Sequence, residues 1–182
     1  MSYLLPVMQA LLLLGVIPAA VIDLRIRRVP NWLTLTAASL GIALNCFLFE
    51  TAGLWMSVKG IGLAMLIYFP LYMLRGMGAG DVKLMAAIGA IAGPANWLGI
   101  LFLTACFGAV AAIVLVVAKG LVRRTVDNMW LLLVSLVNRQ APYTAYPQLD
   151  VQTDKGARLP HAAVIACGCI GFLIAAAIWA PR

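Results

Sequence analysis

Residues 73–90 read MLRGMGAGDVKLMAAIGA, in which Asp81 follows three glycines spaced by two (Gly76, Gly78 and Gly80) and opens an apolar run. A second acid, Asp23, closes an earlier apolar run in PAAVIDLRIRRVPNW. The other acids are placed differently: Glu50 falls at the far end of an apolar run, and Asp127, Asp150 and Asp154 lie in a mixed connection. Two carboxylic acids a few ångströms apart do not both ionise readily, so they share one proton. The ionised member can take a proton from water while the protonated one polarises a peptide carbonyl, and the roles exchange as the tetrahedral intermediate collapses. This is the chemistry of an aspartic endopeptidase with Asp23 and Asp81 as its pair, and it calls for no metal, cofactor or serine.

The elements that must bring the two acids together are membrane helices. Of the 182 residues, 64% are hydrophobic and 10% charged, and the mean hydropathy is +1.03. A soluble domain is typically about half apolar and about a quarter charged. The composition predicts an all-α, polytopic membrane bundle forming one domain over residues 1–182. Apolar runs predict six spans, near 3–22, 32–49, 54–74, 82–93, 97–118 and 160–180. No Lys or Arg precedes the first and no clear small-residue cleavage site follows it, so it is expected to be a retained span. Arg25, Arg27 and Arg28 follow span 1, Arg75 and Lys83 bracket the link between spans 3 and 4, and most remaining cations lie between spans 5 and 6. The positive-inside rule then puts these segments in the cytoplasm and both termini outside, so that Asp23 and Asp81 share one membrane face. It also accounts for the net charge of +7 without nucleic acid as a partner. Membrane lipid headgroups are what Arg25, Arg27 and Arg28 are expected to meet.

Span 4 is short. From Asp81 to the Gly93-Pro94 break there are 13 residues, only ~20 Å of helix against a hydrocarbon core of about 30 Å. With the break near the far interface, Asp81 sits within the membrane depth, beside non-helical backbone that is tolerated there only against protein or a wet cavity. A water-filled pocket at Asp81 is therefore expected. Gly89 and Gly93 form a G-x-x-x-G pair that permits close helix contact. Residues 126–137 are apolar but too short to cross, which suits an interfacial or re-entrant helix. Residues 138–159, with Pro142 and Pro147, read as a cytoplasmic loop.

Each candidate also has a plainer role. Asp23 alone fits a boundary charge beside three arginines, and Asp81 alone fits an acid favoured by a helix N-terminus. Gly78 and Gly80 are either ordinary membrane-helix glycines or a hinge that carries Asp81 toward Asp23. Lys83 snorkels to the interface or orients a carboxylate. Cys46, Cys106, Cys167 and Cys169 fall in spans without any C-x-x-C pair and read as packing residues. His161, the one histidine, reads as a polar helix-end residue outside the catalytic set.

GAGDVKL, residues 78–84, resembles the G-x-G-D signature of type IV prepilin peptidases. DLRIRRVPNWLTL, residues 23–35, is similar to the first motif of that family: an aspartate ending a span, a basic stretch, then Pro30-Asn31 opening span 2. Pro160, in LPHAAVIACG, resembles a weaker third motif, where an aromatic commonly follows the proline; His161 departs from it. The resemblance runs along the whole chain and implies an inner-membrane enzyme, with its active site on the cytoplasmic side, that removes a short basic leader from prepilin or pseudopilin precursors. It implies Asp23 and Asp81 as the catalytic pair and Gly78 and Gly80 as motif residues. Lys83, Pro30, Asn31 and Pro160 are candidates for structural support or substrate contact. Longer members carry an insert with paired C-x-x-C motifs and an associated N-methyltransferase activity. Without that insert, this chain resembles the short, peptidase-only type associated with tight-adherence (Flp) pili.

Two other functions stay open on the residues alone. A proton- or cation-coupled transporter would also use membrane acids and broken helices, although it would place charges nearer mid-bilayer. A catalytically silent assembly factor of a pilus or secretion machine would look the same in sequence. The oligomeric state is not legible.

Overall fold

The computed structural model describes residues 4–75, 77–137 and 160–179. These are helical almost throughout, with no strand among the described residues: α1 (Pro6–Ile26), α2 (Asn31–Met73), α3 (Ala79–Ala118), α4 (Val122–Val137) and α5 (His161–Trp179). Four of the five, all but α4, are long and apolar enough to cross a membrane. The expected loop over 138–159, and Gly76, lie outside the described residues.

The six apolar runs are carried by four long helical elements, two of them broken in the middle. The runs 32–49 and 54–74 belong to one element, α2, and 82–93 and 97–118 to another, α3. The reason is that each break uses a single non-helical residue, after which helical hydrogen bonding resumes at once. In α2 that residue is Glu50 (φ 51, ψ −134), and in α3 it is Gly93 (φ 71, ψ 170). A positive φ is easy for glycine and uncommon for glutamate. The break at Gly93 was legible from the Gly-Pro pair and the one at Glu50 from the end of the run 32–49, although not the positive φ that Glu50 adopts.

Both long elements fold back on themselves. Asn45 Nδ2 and Ser57 Oγ donate to the same Ala90 carbonyl, at 2.9 and 2.7 Å, although twelve residues of straight helix would separate them by about 18 Å. Trp97 Nε1 likewise reaches the Met85 carbonyl at 3.0 Å across the Gly93 break. The two halves of α2 thus enclose the first half of α3. Between Asp81 and Gly93 only Lys83 and Ala86 escape burial, which makes this half-helix the axis of the bundle.

The Ala90 carbonyl explains the polar side chains around it. In a regular helix the N–H of residue 94 would donate to it, but Pro94 has none. Asn45 Nδ2 also reaches the Ile91 carbonyl at 3.2 Å, so groups left unpaired by the break are satisfied from α2. The contact is close because Gly60 and Gly89 meet: a Cβ on either would run into the other's carbonyl oxygen. In lipid, where apolar burial does not drive helix association, such small-residue contact and interhelical hydrogen bonds do.

The α4 helix is amphipathic, with Val126, Met129, Trp130 and Leu133 exposed along one side. Of the four cysteines, only Cys169 is buried, and none is paired.

Asn45→Leu and Ser57→Ala each leave Ala90 one donor, so each is expected to lower stability by only about 1–2 kcal/mol. The double variant, which strips both donors, should lose more than the sum. Thermal unfolding of the four proteins in detergent micelles tests this.

Candidate active site

The chain leaves α1 through Arg27, which adopts the left-handed conformation (φ 53) and returns its N–H to the Asp23 carbonyl at 2.8 Å. The helix thus runs one turn past Asp23 and leaves that acid on its last turn, 7% exposed. Pro30 then caps α2 from extended backbone (φ −65, ψ 136), and Asn31 is the first helical residue. At the other side of the site Gly78 caps α3 and Asp81 stands three residues on, 8% exposed. Its carboxylate turns back over Gly78 and interacts with that residue's backbone N–H, as the acid of a capping box does.

Asp23 and Asp81, brought from helices far apart in sequence, line one cleft of about 280 Å³ together with Arg27, Asn31, Gly78 and Gly80. A polar hollow stands where the short fourth run called for one. A larger hollow of about 340 Å³, bounded by Gly99, Phe102, Phe172 and Trp179, is apolar and contains no carboxylate.

The glycines of the motif act here through space. Gly78 has ordinary extended backbone (φ −77, ψ 147) and Gly80 is already helical. A Cβ on Gly78 would stand 3.3 Å from Asp81 Oδ2, and one on Gly80 would stand 3.2 Å from the Val29 Cβ. Gly78 is tight because the Asp81 carboxylate turns back over it, and Gly80 because the turn before α2 is pressed against the start of α3. The same seam is tied by Lys83, whose Nζ donates to Asn31 Oδ1 at 2.9 Å.

Asp23 is fixed from a third direction. Pro160 opens α5, its carbonyl accepting from the N–H groups of Ala163 and Val164. The N–H of Ala162, in the first turn, is free of that ladder and donates to Asp23 Oδ2 at 3.0 Å. One carboxylate oxygen is thereby held as an acceptor, and the other is left for the cleft.

The sequence-derived residues sort as follows. Asp23, Asp81, Gly78, Gly80 and Asn31 share the cleft; Pro30 and Lys83 brace its edge, and Pro160 stands behind Asp23 at the head of α5. Arg27 and Arg28, expected at lipid headgroups, are exposed and also line the cleft. His161 was set aside as a helix-end residue, and it is exposed there, yet it lies within electrostatic range of Asp81, as does Asp23. The anchoring Ala162 N–H had no signal in the sequence, because a backbone donor is independent of residue type.

Residues 10–113 match the type IV leader peptidase family. That stretch takes in Asp23, Pro30, Asn31, Gly78, Gly80, Asp81 and Lys83, and stops short of α5. The chain is also 31% identical, over 135 residues, to a prepilin leader peptidase/N-methyltransferase of Escherichia coli (strain K12); the match covers 68% of this chain and 58% of that protein. It therefore spans under two thirds of the relative's length. No solved structure matches the chain. With more than half of its length in the family match, and both acids inside it, this chain belongs to the type IV leader peptidase family.

Proposed function

We propose that the protein is a membrane-embedded aspartic endopeptidase that removes the short basic leader from prepilin or pseudopilin precursors, of the tight-adherence type, at the cytoplasmic face of the inner membrane. The observation that carries this reading is the meeting of Asp23 and Asp81, nearly buried, in one polar cleft. The name of the relative and the family support the substrate class. The helical breaks at Glu50 and Gly93 support a topology in which each half of α2 and α3 crosses separately, with both termini outside.

In this reading one carboxyl of the pair is protonated and donates to the scissile carbonyl oxygen. The ionised partner takes a proton from a water, whose oxygen bonds to the carbonyl carbon and gives a tetrahedral diol. As the diol collapses, the C–N bond breaks, one carboxyl gives its proton to the leaving nitrogen while the other takes the proton of a diol hydroxyl, and the pair returns to its starting state. The Ala162 N–H holds Asp23 through Oδ2, so the step on Asp23 falls to Oδ1. Lys83 and Asn31 act by tying the start of α3 to the start of α2.

Asp23→Ala and Asp81→Ala are each expected to reduce leader removal by at least about 10²-fold at unchanged protein levels. Leader loss from a co-expressed, tagged prepilin, read by mass spectrometry, checks it; rapid cleavage by either variant would refute the pair.

Lys83→Met should retain activity but lower the rate by about fivefold, the worth of one hydrogen bond. The same assay should find no additional loss when Asn31→Ala is added to it, since the two residues serve one contact.

A further inference from the structure

Tyr68 precedes the Gly78–Asp81 motif by ten residues and belongs to none of the motifs, yet the packing of α2 on α3 brings it to the site. The second half of α2 and the first half of α3 run antiparallel, with Gly60 against Gly89. Eight residues onward in α2 is Tyr68, and eight residues back in α3 is Asp81. A shift of eight returns to nearly the same helix stripe, so the register sets the two side by side.

A second set of contacts gives the same placement. Asp81 and Met85 are one turn apart on one face of α3. The Met85 carbonyl holds the Trp97 indole at 3.0 Å, and the Trp97 ring meets Tyr68 edge to face, with centroids 6.1 Å apart and planes at 76°. The Tyr68 phenol interacts electrostatically with Asp81 and, from the α5 side, with Cys169. Tyr68 is 5% exposed.

We propose that Tyr68 is a positioning residue of the Asp23/Asp81 pair: its hydroxyl donates a hydrogen bond to the Asp81 carboxyl from the interior side, directly or through one water, and holds that carboxyl toward Asp23 when substrate occupies the cleft. The proposal rests on the peptidase reading. In it Asp81 is gripped from two sides, by the Gly78 backbone at the cleft and by Tyr68 beneath. The ring of Tyr68 is itself locked against Trp97, so the hydroxyl has little freedom to leave. No group on the reacting peptide is touched, which separates this role from that of the two acids.

The test is Tyr68→Phe, which keeps the ring and its edge contact with Trp97 and removes only the oxygen. Purified wild type, Tyr68→Phe and the control Tyr72→Phe are compared on a prepilin substrate in detergent. We expect Tyr68→Phe to lower kcat by about 10- to 100-fold, the range for a hydrogen bond to a charged group, with KM nearly unchanged and the unfolding temperature within a few degrees of wild type. Tyr72→Phe, one turn on, should match wild type throughout. A Tyr68→Phe protein with wild-type kcat, or one whose loss appears wholly in KM or wholly in the fraction of folded protein, overturns the role assigned to the hydroxyl and leaves the peptidase reading standing. A wild-type protein that does not cut the precursor overturns both.

Discussion

Much of the molecule depends on one carbonyl group. Pro94 cannot donate to Ala90, and in hydrocarbon a carbonyl without a donor has no water to turn to. The two donors that satisfy it, Asn45 and Ser57, sit on opposite halves of α2. Satisfying the break in α3 therefore requires α2 to be folded at Glu50 and wrapped on both sides of the half-helix that Asp81 begins. The fold-back of α2 and the burial of residues 81–93 are one arrangement. Gly60 and Gly89 let it close, because no side chain lies between the two backbones.

With the axis fixed in this way, the site is assembled from helix ends. Asp81 is in the first turn of α3, where backbone N–H groups are unpaired and the macrodipole favours an acid. Asp23 is in the last turn of α1, where the same dipole opposes it. The start of α5 offsets this by directing its Ala162 N–H at Oδ2. Each acid thus has a helix N-terminus at its disposal: for Asp81 its own helix's, for Asp23 that of a helix nearly 140 residues away in sequence. Pro160 gains a physical role from this geometry, since a proline at a helix start leaves the following donors unpaired and sets their direction. The motif that was weakest in sequence lies two residues before the backbone donor that holds one of the two acids.

What the sequence made legible follows the same division. The apolar runs, the Gly93-Pro94 break and the two acids at run ends were readable, because each depends on residue type: hydropathy, the missing proline N–H, the rarity of charge in lipid. The place of the turn at Glu50 was readable too, from the gap between the runs 32–49 and 54–74, but its form was not, since glutamate carries no preference for positive φ. Gly78 and Gly80 were readable as ordinary membrane-helix glycines or a hinge, and what the sequence did not reveal is how little room they have beside Asp81 and Val29. The place of Arg27 and Arg28 at the cleft was not legible from charge alone, which is blind to the left-handed turn at Arg27.

Tyr68 shows where that limit lies. Its neighbourhood in sequence, MLIYFPLYM, is uniformly apolar and aromatic, and in a membrane chain such a tyrosine reads as an interfacial ring. Only the register of α2 on α3 distinguishes it from Tyr72, and that register is set by Gly60, Gly89 and the Ala90 carbonyl, all eight or more residues away. The contact that fixes the bundle axis thus also selects which hydroxyl stands beneath Asp81. A one-residue slip of α2 would rotate Tyr68 by about 100° and unpair Ala90 together. The polar grip on Ala90 is therefore both a stability device and a ruler that keeps the site in register.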